Sequence, residues 1–218
     1  MALQPYQIGL KYLGHFTILI TTPNGVTVTT VYNDYIPIQP APTIVTINLA
    51  HDTHHSMPPN PKLKPFLKGW RPNQGTPQFH DLKVKDLRAR NIRTNIREFG
   101  SENDDSRYGN SIFVFEVSGL CIAHLGNLHH ALTVQQLGSI GPMDVVLVPV
   151  DSSFTLHVPG MVELLKALKA PLVIPMHYFS EFTLGRLLEA DGKVFNVKRL
   201  TSSELTVSRD ILPAKTEV

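Results

Sequence analysis

The order of apolar and polar residues predicts that the first part of the chain is built of strands and hairpins. Residues 16–20 and 25–32 are β-branched runs, and the residues between them end in Asn-Gly, a pair that supplies the positive φ angles of a tight turn. Residues 43–49 are also rich in β-branched side chains and predict a third strand. The proline-rich stretch 56–79 predicts an ordered loop.

A second group of strands is predicted further along the chain. Apolar and charged residues alternate over residues 81–87, which indicates a half-exposed strand, and the polar stretch 101–110 indicates a loop. Residues 111–117 and 120–124 are apolar runs separated by Ser-Gly, so they predict a second hairpin.

The remainder of the chain alternates helical and strand patterns. Helices are predicted to begin at Thr133 and to cover residues 160–169 and 184–190. Strands are predicted at residues 143–150, 171–175, 194–197 and 204–207. Hairpins followed by alternating strands and helices favour a layered α/β fold with mixed sheets, and the length of 218 residues favours one domain over 1–218.

Composition excludes several classes of protein. The single cysteine, Cys121, rules out an intrachain disulfide, and 17% charged residues with a net charge of +2 argue against a nucleic-acid partner. No apolar run approaches the roughly 18–20 residues of a membrane span, and no leader pattern is present, so we expect a cytoplasmic protein. The nucleophile elbow, the phosphate loop, the dinucleotide-binding turn and Cys-x-x-Cys are also missing.

The ten histidines are informative because of where they fall. His51, His124, Asp151 and His177 each lie at or just after the carboxyl end of a predicted strand. In α/β sheets this edge is where ligand sites form. We therefore expect these polar side chains to form a site at one sheet edge.

The first histidine cluster has the spacing of a metal-binding turn. In a helical turn His51, His54 and His55 share one face, with Cβ atoms about 5–6 Å apart. Imidazoles at this separation can chelate a divalent cation. The alternative is a solvated loop in which the histidines are coincidental.

A second cluster occupies residues 124–130. Gly126 allows a sharp change of chain direction, and the amide of Asn127 is a weaker ligand than a carboxylate. His129 and His130 either cap this loop or contact substrate. His15 is either a hydrogen-bonded structural residue or a support for the site. The arginine run at residues 88–97 is either a solvated strand face or a steering surface for an anionic substrate.

The order of these features resembles the metallo-β-lactamase fold superfamily, and more narrowly its branch containing ascorbate-6-phosphate lactonase. The features that carry the resemblance are Gly14-His15, the histidine cluster after a strand, and the segments 108–116, 124–127 and 175–178. The resemblance covers nearly the whole chain. It implies a four-layer αββα sandwich, with two mixed β-sheets flanked by helices. It also implies one or two metal ions, zinc or manganese, at the sheet edge, and self-association into a homo-oligomer.

This sequence departs from the superfamily signature His-x-His-x-Asp-His. In the favoured register Leu49 replaces the first histidine and Thr53 the aspartate, while His51 and His54 match the second and third histidines. A shift by one residue would put His55 in place of His54.

The other positions of the superfamily site also differ. The loop that usually supplies another histidine falls near Asn95, and the usual Gly-Asp carboxylate becomes Gly126-Asn127. Only His177 matches directly.

Together these patterns predict a metal-dependent hydrolase that cleaves an ester, lactone or phosphoester of a small-molecule substrate with metal-activated water. The expected metal ligands are His51, His54, His55, His124 and His177. Asp52 or Asp151 would orient the water or act as general base. The residues expected to contact substrate or support the ligands are His15, Asn95, Asn127, His129 and His130. One ion is expected because the bridging carboxylate positions are altered. The alternative is a catalytically inactive member that serves as a binding or regulatory module.

Overall fold

The computed structural model describes residues 2–32, 40–48, 65–69, 78–95, 109–191 and 195–218. Within these ranges the strands are β1 (Gln7–Gly14), β2 (Thr17–Thr21), β3 (Thr27–Thr29), β4 (Ile44–Ile47), β5 (Phe66–Lys68), β6 (Asp81–Val84), β7 (Leu87–Thr94), β8 (Asn110–Val117), β9 (Leu120–His124), β10 (Val145–Pro149), β11 (Leu172–Met176) and β12 (Glu204–Ser208). The helices are α1 (Val134–Ile140), α2 (Val158–Leu168) and α3 (Glu181–Asp191), and a short 3₁₀ helix covers Arg209–Ile211.

The strands form two six-stranded mixed sheets. The first has the order β12-β1-β2-β3-β4-β5 and the second the order β11-β10-β9-β8-β7-β6. In the second sheet β6 to β9 are antiparallel, whereas β9, β10 and β11 run parallel. The carboxyl ends of these three neighbouring strands therefore meet at one edge.

Two cores explain why the strands of the second sheet are apolar on both faces. Phe113 and Phe115 pack between the sheets against residues such as Ile18 of β2. The intervening Val114 faces the other way, into a core that includes Leu165 of α2. Because side chains alternate along a strand, β8 needs apolar residues at nearly every position. This arrangement confirms the predicted sandwich of two mixed sheets with helices.

The local signals for turns and caps are confirmed. The Gly25 N–H donates to the Thr22 carbonyl at 3.0 Å and Gly25 has a φ of 75°. The β8–β9 hairpin turns at residues 118–119, both with positive φ. Helix α1 begins after Thr133, which forms a capping box with Gln136: the Thr133 hydroxyl accepts from the Gln136 N–H at 3.1 Å.

Three predictions about strands and loops are wrong, and one strand was missed. Residues 81–87 are not one strand, because Lys85 has a φ of 51° and the chain turns there into β7. Strand β1 was not predicted, and β5 lies inside the stretch predicted as a loop. Residues 195–197 hold only an isolated bridge at Asn196. No helix in the described residues combines the length and apolarity needed to cross a membrane.

Candidate functional site

The edge formed by β9, β10 and β11 carries polar residues after each strand. Val145 of β10 pairs with Ile122 of β9 and with Leu172 of β11, so the three strands advance in register. His124 is the last residue of β9, Asp151 follows β10 closely, and His177 follows β11 directly. The topology thus places these three residues at one edge of the second sheet.

His177 and Asp151 form a buried pair. The His177 Nδ1 lies 3.0 Å from Asp151 Oδ1, and each residue is 2% exposed. The same carboxylate accepts from the Thr155 hydroxyl at 2.5 Å and from the N–H groups of Ser153 and Phe154 at 3.0 and 2.6 Å. Asp151 therefore receives four donors.

The four donors decide the protonation state of this carboxylate. Burial alone would raise the pKa of Asp151, but the hydrogen bonds from His177, Thr155 and the Phe154 N–H outweigh it and lower the pKa to about 2. An ionised Asp151 holds a proton on His177 Nδ1, and a neutral imidazole then carries its lone pair on Nε2. A carboxylate with four donors is a poor proton acceptor, so this geometry favours a role of Asp151 through His177; its predicted role as general base or in orienting the water stays a prediction.

Aromatic rings surround His177. Phe16 stacks on it with ring centroids 3.7 Å apart, and the rings of His15 and Phe179 meet it edge-on at 4.5 and 4.9 Å. The His177 N–H donates to the His15 carbonyl at 2.8 Å. This contact ties the strand end to the β1–β2 turn of the other sheet.

Several residues at this edge have a left-handed backbone. His15, His177 and Ser152 have φ angles of 55°, 53° and 64°, and Gly126 has 60°. A left-handed conformation costs a non-glycine residue on the order of 1–3 kcal/mol and persists only where the surroundings demand it. Such residues cluster at functional sites.

His124 is buried with both ring nitrogens engaged. Its Nε2 donates to the Phe16 carbonyl at 2.8 Å, and its Nδ1 accepts from the Gly126 N–H at 3.0 Å. Burial lowers the pKa of His124 to about 4, although the hydrogen bond to the Phe16 carbonyl opposes the shift, so the ring is neutral. The prediction of His124 as a metal ligand is therefore corrected. Its role is to join the sheets and to hold Phe16, which stacks on His177.

Buried amides hold the turn that follows β9. We call Asn48, Asn110 and Ser111 the amide cradle. Asn110 Oδ1 accepts from the Asn127 N–H at 2.8 Å and from Asn48 Nδ2 at 3.0 Å. Asn48 also donates to the Ser111 carbonyl and accepts from its N–H. Gly126 lies against the cradle, where a Cβ atom would overlap the Asn110 and Asn48 amides.

The side chain of Asn127 differs from the cradle amides. It is 5% exposed, and its Oδ1 has no hydrogen-bond partner in the part of the chain that the structure describes. Sequence reasoning did not single out Asn48 or Asn110 for this role. Their positions at strand ends could have identified them, because Asn48 directly follows β4 and Asn110 is the first residue of β8.

The remaining predicted site residues support the adjoining loops. His130 Nδ1 donates to the Ala131 carbonyl at 2.7 Å and its Nε2 accepts from the Asn95 N–H at 3.0 Å, so this ring holds the end of the β7 segment. His129 is half-buried in the same loop.

His51, Asp52, His54 and His55 lie outside the described residues, and their predicted roles stay predictions. Across the described ranges, no group of three His, Cys, Asp or Glu side chains is placed to hold a metal ion.

Comparisons with known proteins agree with this architecture. A family model described as a beta-lactamase superfamily domain matches residues 9–177. A crystal structure of a metallo-β-lactamase superfamily protein from Thermotoga maritima, 26% identical in sequence, superposes with a TM-score of 0.69 over 97% of this chain and 96% of that one.

Curated relatives match shorter parts of the chain. The UPF0173 metal-dependent hydrolase of Thermoplasma volcanium is 33% identical over 106 residues, which are 48% of this chain and 43% of that protein. The UPF0173 metal-dependent hydrolase of Desulforamulus reducens is 29% identical over 140 residues, 63% of this chain and 57% of that protein. The chain therefore spans about half the length of these curated relatives.

Proposed function

Because the chain belongs to the metallo-β-lactamase superfamily, we propose that it is a metal-dependent hydrolase that cleaves an ester, a lactone or a phosphoester. The names of the UPF0173 relatives support the reaction class. Zinc or manganese is the proposed cation.

The His177–Asp151 pair is the observation that carries this proposal. A histidine that binds a metal usually donates its other ring N–H to a carboxylate, which sets the tautomer and makes the ligand nitrogen more basic. Asp151 meets His177 Nδ1 in this way, at 3.0 Å and out of contact with solvent. His177 is therefore held in the way that a metal-binding histidine is held.

The other residues of the edge hold that ring in place. Phe16 stacks on His177, and the His15 carbonyl accepts its backbone N–H. His124 fixes the Phe16 carbonyl in turn. A preorganised ring loses little entropy when it binds a ligand, which is why metal sites have such supports.

A bound cation would lower the pKa of a coordinated water toward neutrality and polarise the scissile bond. We propose that His51 with His54 or His55 completes the ligand set and that Asp52 orients the attacking water. A single cation is proposed because Asn127 stands where a bridging carboxylate would lie.

Elemental analysis of untagged, full-length protein tests the proposal. Zinc or manganese should copurify or bind on addition, and His177→Ala should release it. The matched control is His157→Ala, because His157 is exposed at the start of α2. A wild-type protein that stays free of metal after zinc and manganese are added would refute the metal-dependent reaction.

Hydrolysis assays identify the substrate class. Carboxylic esters, lactones and phosphodiesters are tested with the metal-loaded wild type and with His177→Ala. Turnover of one class, lost in His177→Ala and kept in His157→Ala, is the expected result. A protein that binds metal but turns over none of these would favour the alternative, a binding or regulatory module. The hydrogen bonds of both ring nitrogens of His124 and of His130 to backbone groups are consistent with this alternative.

A further inference from the structure

A cavity lies at one side of the sandwich, between the outer strands of the two sheets. Strand β11 is the outer strand of the second sheet and β12 that of the first. The space between them, which we call the side cavity, has a volume of about 560 Å³. Its lining includes Leu10, Ile18 and Ile174, which also belong to the apolar core between the sheets. Cavities of roughly 300–1,000 Å³ with mostly apolar walls are typical of small-molecule sites.

The side cavity is elongated along β11. Residues 172–175 all line it, and Tyr178 beyond the strand end lines it as well. With a rise of about 3.3 Å per residue, residues 172–175 alone extend over about 10 Å. This shape fits a chain better than a compact ring.

The backbone N–H groups on the outer side of β11 are either used or missing. Alternate residues of a strand direct their N–H groups to the same side, and residues 173, 175 and 177 direct theirs away from β10. The Val173 N–H donates to the Glu217 carbonyl at 2.8 Å, and the His177 N–H donates to the His15 carbonyl at 2.8 Å. Pro175 has no N–H. A peptide strand therefore cannot add to β11, and the side cavity favours an occupant that needs no hydrogen bonds from this backbone, such as an aliphatic chain.

The charged side chains of the lining are already balanced. They are Lys198, Glu204 and Glu217. Lys198 Nζ lies 3.7 Å from Glu217 Oε1, and Glu204 Oε1 lies 2.7 Å from Lys11 Nζ. The exposed residues 201–203 add three hydroxyl groups to the lining. Because each of these charges faces an opposite one, this polar part of the lining complements an uncharged head group that exchanges hydrogen bonds with hydroxyls.

We propose that the side cavity binds an uncharged amphiphile, an aliphatic alcohol or its ester, with the chain along β11 and the head group at residues 201–203. The site goes beyond the proposed reaction, because none of the residues that line it is a proposed metal ligand. Its neighbour is nevertheless the site edge: Tyr178 directly follows His177, and its ring stacks on Tyr12, another lining residue, with centroids 6.0 Å apart.

Methyl NMR titration of metal-free, full-length protein tests the site without any contribution from hydrolysis. The probes are 1-butanol, 1-hexanol and 1-octanol, with octanoate as the charged counterpart of the last. Saturable shifts are expected at the methyl groups of Ile174 and Leu205. The dissociation constant should fall about fourfold for each added methylene, the factor that corresponds to about 0.8 kcal/mol, and octanoate should bind more weakly than 1-octanol. Shifts that do not saturate, or an affinity that does not depend on chain length, would overturn the inference.

Two variants place the probe in the side cavity. Leu205→Trp should raise the dissociation constant of 1-octanol about tenfold or more, because displacing about two methylenes from the cavity already has this effect. The matched control is Val134→Trp, at an exposed position of α1, which should bind 1-octanol like wild type. Leu200→Asp changes an exposed residue of the lining, so it keeps the core intact and should also weaken binding.

Two further results would count against the site. The inference is wrong if Leu200→Asp, or a folded Leu205→Trp, binds 1-octanol like wild type. It is also wrong if the side cavity is an interface between two copies of the chain. In that case sedimentation would show a wild-type oligomer that Leu200→Asp converts to a monomer, and 1-octanol would leave the methyl groups of Ile174 and Leu205 unshifted.

Discussion

Replacing Gly126 by alanine tests whether the amide cradle determines the shape of the site edge. Gly126 has a φ of 60°, and an added Cβ would overlap the side chains of Asn110 and Asn48 and lie 3.1 Å from the Ser111 carbonyl. Gly119 is the matched control, since its φ is 72° but a Cβ there would meet nothing within 4 Å. Both substitutions force alanine into a left-handed backbone conformation, but only the one at Gly126 also creates a steric overlap.

The expected magnitudes follow from these contacts. A left-handed alanine costs roughly 1–2 kcal/mol, which is the full effect expected for Gly119→Ala. Gly126→Ala adds about 1–3 kcal/mol for overpacking. It adds about 1–3 kcal/mol more if the Asn48–Asn110 hydrogen bond, 3.0 Å long, breaks and leaves a buried amide unpaired. The total for Gly126→Ala is then about 3–8 kcal/mol, a large part of the stability of a typical domain.

Urea unfolding of metal-free protein, followed by circular dichroism, measures both losses on one scale. Adding Asn48→Ala to Gly126→Ala should recover part of the stability, because it removes one of the two overlapping amides. Equal losses for Gly126→Ala and Gly119→Ala, within about 0.5 kcal/mol, would show that the cradle does not constrain the turn.

Three further predictions concern polar side chains of the second sheet and of the loops at its edge. As pH falls from 6.5 to 4, the free energy of unfolding should drop by about 3 kcal/mol, because the unfolded chain takes up a proton that buried His124 does not. His124→Gln should flatten this part of the pH profile measured by urea unfolding. An unchanged slope would contradict the neutral state of His124 in the folded protein. Asp151→Asn should weaken Zn²⁺ binding about 10–100-fold and shift the ring-nitrogen NMR resonances of His177, whereas unchanged resonances would show that the carboxylate does not set the tautomer. Arg90→Lys should lower the free energy of unfolding by about 1–3 kcal/mol, because Arg90 donates to a carboxylate and to two carbonyls at the end of α1. The control is Arg88→Lys, which should cost less than about 1 kcal/mol because Arg88 is exposed. Equal losses would show that the Arg90 contacts with α1 do not stabilise the fold.

The local elements were predictable because their causes are local. Asn-Gly and Ser-Gly pairs mark both confirmed hairpin turns, and Thr133 marks the start of α1. The prediction failed where the local signal was missing: Lys85 adopts a positive φ without a glycine, so the strand predicted over residues 81–87 runs across the turn between β6 and β7. Strand β1 becomes recognisable only by its pairing with β2 and β12, which lies almost 200 residues away along the chain.

The sequence by itself placed His124, Asp151 and His177 at the site edge, since each ends or follows an apolar run that becomes a parallel strand. It could not determine what each ring does there. His124 gives both nitrogens to the backbone of Phe16 and Gly126, while His177 has its Nδ1 bound to Asp151. The protonation and the direction of an imidazole depend on partners from distant segments, and only the packing of the two sheets brings those partners within hydrogen-bonding distance.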